Sequence, residues 1–168
     1  MATSPRDVVA PRLRVLTVGD GDLSYSLALA RCFGPALRLT ATTLCTEAEL
    51  ARTYAHGARN ALELAERGAV VRWCVDATAL DAEALGEQDV IVFNHPHLGL
   101  ADLADVAAHA RRHSVLLGHF FSCAAALLAP LGRVHMALCG SQPANWHAHA
   151  HAARHGLAGG LRGGVGRV

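Results

Sequence analysis

At 168 residues, 52% of them apolar and 17% charged, the chain has the length and composition of one globular domain with a real core, not of a disordered segment. A formal net charge of +1 excludes a global basic field, so any nucleic acid must be held by a local patch. Five cysteines, odd in number and without CxxC spacing, argue against a disulfide framework or a zinc ribbon and for reduced thiols in a cytosolic or nuclear protein; no secretory signal or membrane-spanning run is expected.

Residues 1–12, with two prolines and mixed charge, read as a flexible lead-in. Leu13 to Val18 is predicted as a strand, closed by the turn cluster Gly19-Asp20-Gly21-Asp22. Ser24 is placed to cap a helix that runs to about Phe33 and stops at Gly34-Pro35. Leu37 to Thr43 is a second strand, Glu47 to Arg67 a helix, and Ala69 to Val75 a third strand. The apolar run Asp89 to Asn94 suits a parallel strand buried on both faces. Helix follows from about Leu100 to Leu128, in two pieces broken near His113-Ser114. Pro130-Leu131-Gly132 is a turn, Arg133 to Cys139 a fifth strand, and Gln142 to His155 a loop and helix. Residues 158–168 are a glycine-rich tail. Strands alternating with helices over 13–157 predict an α/β domain with a parallel sheet, whose ligand site lies at the carboxyl ends of the strands.

Chemistry concentrates at those ends. In VGDGDLSYS, residues 18–26, glycines directly after the first strand let the backbone pass close to a ligand. The spacing is not GxGxxG, and two carboxylates there would repel a pyrophosphate. They suit a cofactor carrying an ammonium and a sulfonium, which favours S-adenosyl-L-methionine over NAD; the alternative is a glycine turn with solvated aspartates. Asp76, with Ala77 after it, ends the third strand, where its carboxylate can accept from an adenine amino group or instead cap an Asx turn. The second strand ends in Thr42-Thr43, so a threonine hydroxyl would replace the usual ribose-binding acid. Asn94-His95-Pro96-His97 leaves the fourth strand; an amide there can orient a planar N–H group, and His95 or His97 can take its proton.

Other aromatic and histidine residues carry weaker signals. Phe120 and Phe121 fall in an apolar helix and read as core, whereas Trp146, nearer the proposed site, reads equally as core and as a platform for a base. His147, His151 and His155 would share a helical face, but no acid or cysteine accompanies them, and no metal site is expected.

Taken together, GDGDLSYSLALA at 19–30, VDATAL at 75–80, VIVFNHPHLG at 90–99, LLGHFFSCAAALLAPLGRVHMAL at 116–138 and QPANW at 142–146 resemble, in order, the large-subunit rRNA uridine-N3 methyltransferase-like domain. The same domain occurs in ferredoxin-fold anticodon-binding domain-containing proteins. The resemblance covers roughly residues 13 to 157. It implies a Rossmann-like methyltransferase fold, S-adenosylmethionine as donor, rRNA as substrate and a nucleolar or cytoplasmic setting. It further implies a donor loop of Gly19, Asp20, Gly21 and Asp22, with Ser24 and Thr42 beside it and Asp76 and Ala77 near the adenine. Asn94, Pro96 and His97 would line the catalytic mouth. His95 stands where the family usually has an aromatic residue, and Ala144 where it commonly has tyrosine. Five strands are expected where the family has seven, leaving a fifth-strand edge for a partner chain to cover. The alternative function is a non-catalytic Rossmann-like binding or assembly module; a nucleotide-dependent oxidoreductase is a third, resting on fold alone.

Overall fold

In the computed structural model, residues 12–99 and 105–157 are described. The lead-in before residue 12, the tail from residue 158 and the expected helix start at Leu100 lie outside them. Strand β1, Leu13–Val18, and helix α1, Ser24–Phe33, have the predicted bounds. A 3₁₀ turn, Gly34–Ala36, leads into β2, Leu37–Thr42. Helices α2, Glu47–Thr53, and α3, Gly57–Glu66, precede the short β3, Val70–Arg72. Helix α4, Ala82–Leu85, and β4, Gln88–Asn94, are followed by α5, Val106–Leu127, and β5, Leu128–Ala137. Helices α6, Gln142–Asn145, and α7, Ala148–Arg154, complete the described chain.

The five strands form one sheet in the order β3-β2-β1-β4-β5, every pairing parallel. Alternation along the central strands sends their side chains to two cores. Val15, Leu39, Ala41 and Val92 pack with Leu27 of α1, Leu50 of α2 and Leu64 of α3. Leu16, Val18, Ile91 and Phe93 pack with Leu117, Phe120, Phe121 and Ala124 of α5 and Ala152 of α7. The sheet is thus sandwiched between helices, the α/β architecture expected from the alternating elements. At the amino end of β1, Arg14 binds both oxygens of Asp89 and holds that carboxyl down at about 2, tying β1 to β4. Among the described residues, β5 is an outer strand of the sheet.

Four local expectations are corrected. The predicted helix over Glu47 to Arg67 is two helices, broken at Tyr54; Gly57 opens the second, and a Cβ there would collide with the Leu50 side chain. Helix α5 runs unbroken through His113-Ser114, because both side chains have tertiary or backbone partners: His113 Nδ1 bonds the His109 carbonyl, and Ser114 Oγ bonds His151 Nε2. The third strand is shorter than Ala69 to Val75, since Cys74 takes a positive φ of 57° and ends the pairing. The turn at Pro130-Leu131-Gly132 survives as an irregularity inside β5, where the register jumps from Gln88↔Leu128 to Val90↔Arg133 and Leu131 stands 93% exposed.

Candidate active site

Strand order reverses between β1 and β4, which opens a crevice at their carboxyl ends. A cavity of about 410 Å³ lies there. That volume falls in the range of small-molecule sites. Its walls include Gly19, Asp20, Gly21, Asn94 and His95, five of the residues singled out in the sequence. Thr17 of β1, Tyr25 of α1 and Ala137 of β5 also line it.

The loop between β1 and α1 is shaped by its two aspartates. Leu23 takes a left-handed φ of 63° to turn the chain into α1. Ser26 donates to Asp20 Oδ2 from both its backbone N–H, at 2.7 Å, and its Oγ, at 2.5 Å. Asp22 Oδ1 accepts from the Ser24 N–H at 3.0 Å. The aspartates therefore satisfy the first free N–H groups of α1, and Ser24, expected as the cap, is instead its first helical residue. Burial pushes the Asp20 carboxyl above its ordinary value, the two Ser26 bonds pull it back, and Asp22 adds to the rise. Gly19 sits at φ +63°, and a Cβ there would come within 2.9 Å of the Phe93 ring. Above Gly21 the Tyr54 hydroxyl occupies the corresponding space at 2.8 Å.

On the opposite wall, β4 ends in Asn94, half-buried and paired with Ala137. His95 extends that pairing, its N–H donating to the Ala137 carbonyl at 3.0 Å. A positive φ of 48° then swings its exposed side chain to the rim, with Nδ1 3.6 Å from Cys139 Sγ. Pro96, which follows, is buried.

Several expected site residues do other work. Thr42 is fully buried, and its Oγ1 donates to the Thr17 carbonyl at 2.8 Å, so that hydroxyl does not face a ribose. Asp76 closes an Asx turn, Oδ1 accepting from the Thr78 N–H and Oγ1, which also lowers its pKa; Ala77 packs on the α5 core. Neither lines the cavity. His97 turns away from it towards α5, where its ring lies 5.1 Å from that of His113. Trp146 is only 3% exposed and stacks on His113 at 4.2 Å and 21°, so it is a core residue and not a platform open to a base. Phe120 and Phe121 are core, as expected.

Two features escaped the sequence reading. Tyr25, 40% exposed on the cavity wall, lies inside the VGDGDLSYS motif itself and is the aromatic group best placed to cover a bound ring. The histidines that approach one another are not His147, His151 and His155 but His97, His109 and His113, brought together across the β4–α5 connection. No local spacing could have signalled that. None of the five cysteines is in a disulfide, and no described helix is long and apolar enough to cross a membrane.

With this geometry in place, residues 16–160 match the BMT5-like family, described as rRNA (uridine-N3-)-methyltransferase BTM5-like. The chain belongs to the BMT5-like family. Human ferredoxin-fold anticodon-binding domain-containing protein 1 is 41% identical over 150 residues, 83% of this chain and 23% of that protein. Heavy metal-associated isoprenylated plant protein 41 of Arabidopsis thaliana is 33% identical over 126 residues, 73% of this chain and 24% of that protein. The BMT5-like chain thus spans about a quarter of the length of these curated relatives. Among solved structures, TrmN from Thermus thermophilus is similar at a TM-score of 0.60 and 30% identity, covering 82% of this chain and 36% of that one. Malate dehydrogenase from Naegleria fowleri, at a TM-score of 0.55 and 12% identity over 86% of this chain and 44% of its own, shares the fold alone. The matched family is thus one named for an rRNA methyltransferase, and the chain shares its Rossmann-like fold with TrmN.

Proposed function

We propose that the BMT5-like domain binds S-adenosylmethionine in the β1–β4 crevice and methylates N3 of a uridine in large-subunit rRNA. The observation that carries this reading is the convergence of two glycines, a half-buried carboxylate and Asn94 on one cavity. Gly19 and Gly21 present bare backbone to the cavity, and Asp20 offers a low-dielectric negative charge that suits an ammonium or sulfonium better than a phosphate. These residues fit the donor. When bound, S-adenosylmethionine supplies an electrophilic methyl group.

The chain's own residues then position the acceptor. Asn94 can donate from its side-chain amide to a uridine carbonyl flanking N3, which orients the ring and leaves N3 open to the methyl group and to a base. Orientation of this kind is what an in-line displacement rewards. The N3 nitrogen must lose its proton as the new bond forms. In this reading His95, which lines the cavity, takes that proton. Tyr25 covers the cavity from the α1 side. The outer edge of β5 is where a partner chain would pair, and the rRNA substrate fits a nucleolar or cytoplasmic setting.

The test is mass-spectrometric nucleoside analysis of a large-subunit rRNA transcript incubated with the chain and donor. We expect 3-methyluridine, absent with Asn94→Ala and reduced about 10²–10⁴-fold with His95→Ala. A different methylated nucleoside, or none from a chain that binds the donor, contradicts the reading.

A further inference from the structure

Beside the donor cavity, three imidazoles from two segments meet on the α5 side of the sheet. His97 comes from the loop after β4, and His109 and His113 stand one turn apart on α5. One ring nitrogen from each lies within 4.8 Å of the others. Ring centroids are 5.1 Å apart for His97 and His113, 5.5 Å for His97 and His109, and 4.0 Å for His109 and His113. Imidazoles sharing a tetrahedral zinc with bonds of about 2.0–2.1 Å have centroids roughly 5 Å apart, so only the third pair must open, by about 1 Å.

The bonding of the three rings points to a ligand. His109 Nε2 is buried and has no hydrogen-bond partner, a costly state unless something else binds it. His113 is 1% exposed, and its Nδ1 bonds the His109 carbonyl at 2.9 Å, which leaves Nε2 as the lone-pair atom. A backbone carbonyl behind the ring is a common support for a metal-ligating histidine. The remaining acceptors are held by amides of one loop: the Leu98 N–H donates to His113 Nε2 at 3.2 Å, and the Gly99 N–H to His97 Nδ1 at 2.9 Å.

We propose that His97, His109 and His113 form a three-histidine site for a divalent transition metal, zinc foremost, with a fourth position for water. Neutral imidazoles suit such a cation, and three protein ligands plus an open position are a known zinc arrangement. Metal binding at His113 Nε2 exchanges the Leu98 amide bond for a metal–nitrogen bond, and His97 then fastens the loop after Asn94 to α5. The site is independent of the methyl-transfer reading, since it shares no residue with the cavity.

The experiment is a zinc chloride titration of the full chain at neutral pH against a chromophoric chelator, with Trp146 emission followed in a Trp73→Phe background. Trp146 stacks on His113 and reports on the site directly. We expect one zinc per chain, a change in Trp146 emission, and about 100-fold or greater weakening by His97→Ala and by His109→Ala separately, since even outer-sphere changes cost 10–100-fold. The double variant His149→Ala/His155→Ala, on α7 and at its C-terminal cap, should bind as the parent does. His97 is exposed, so its variant keeps the fold, which circular dichroism verifies. Absence of saturable binding by the folded chain overturns the proposal. So does binding that survives both single variants, or binding lost only with the surface pair.

Discussion

A single carboxylate oxygen, Asp20 Oδ2, holds both the backbone N–H and the hydroxyl of Ser26, at 2.7 Å and 2.5 Å. Ser26 Oγ also lies 2.7 Å from Thr17 Oγ1, so this contact ties the donor loop to β1 and α1 together. Ser26→Ala removes the hydroxyl at the centre and leaves the half-buried Asp20 short of a donor. The expected loss is about 1–3 kcal/mol in urea unfolding. An unchanged midpoint would show that the network does not stabilise the loop.

The same carboxylate gives donor binding a pH signature. Its pKa is raised on folding, chiefly by burial, so the folded chain holds the proton more tightly than the unfolded one. Its contribution to stability is therefore largest below the ordinary aspartate value and falls as pH rises through the folded value. A cationic donor beside it favours the ionised form, so donor affinity should rise with pH over that window. Calorimetric titrations from acid to neutral pH should show this for the parent and a flatter profile for Asp20→Asn. Identical profiles would remove Asp20 from the donor site.

Gly19→Ala meets two obstacles, the φ of +63° and the Phe93 ring 2.9 Å from the new Cβ. A cost of at least about 1 kcal/mol is expected from the backbone alone. Movement of the loop to relieve the clash should also abolish the response to S-adenosylmethionine. Thermal unfolding with and without donor reads both effects; a stable variant that still binds the donor contradicts the close packing of the loop against β4.

Trp146 distinguishes a core residue from a substrate contact. As a buried ring stacked on His113, its removal in Trp146→Ala should cost about 3–5 kcal/mol in unfolding measurements. Trp146→Phe should recover most of the stability and leave KM for RNA unchanged. A large rise in KM from Trp146→Phe without a stability change would return this residue to the substrate surface.

Legibility of the structure followed the range of the interactions involved. LRVLTV followed by GDGD marks β1 and its loop because strand alternation and glycine punctuation are local, and α1 follows with the expected bounds. The break at Tyr54 was hidden because it comes from Gly57 packing on Leu50, a tertiary contact with no proline beside it. At the site, Gly19, Asp20, Gly21, Asn94 and His95 were readable, since chain ends of parallel strands converge by topology. Thr42 turns inward, and the two readings of Trp146 are decided for the core, because burial, not position at a strand end or loop, decides what their polar or aromatic groups can meet. The approach of His97 to His109 and His113 depends on how the β4–α5 connection folds back, which spacing along the chain does not encode.

The most direct test of the account is donor binding by the full chain, followed as thermal stabilisation by S-adenosylmethionine and S-adenosylhomocysteine against NAD. A ligand at about 100 times its Kd stabilises the native state by roughly 2.7 kcal/mol. For a chain of this size that corresponds to a Tm increase on the order of 5–10 °C. The account predicts that increase with the first two ligands, none with NAD, and its loss in Gly19→Ala. A folded chain that responds to NAD alone, or to none of the three, contradicts it.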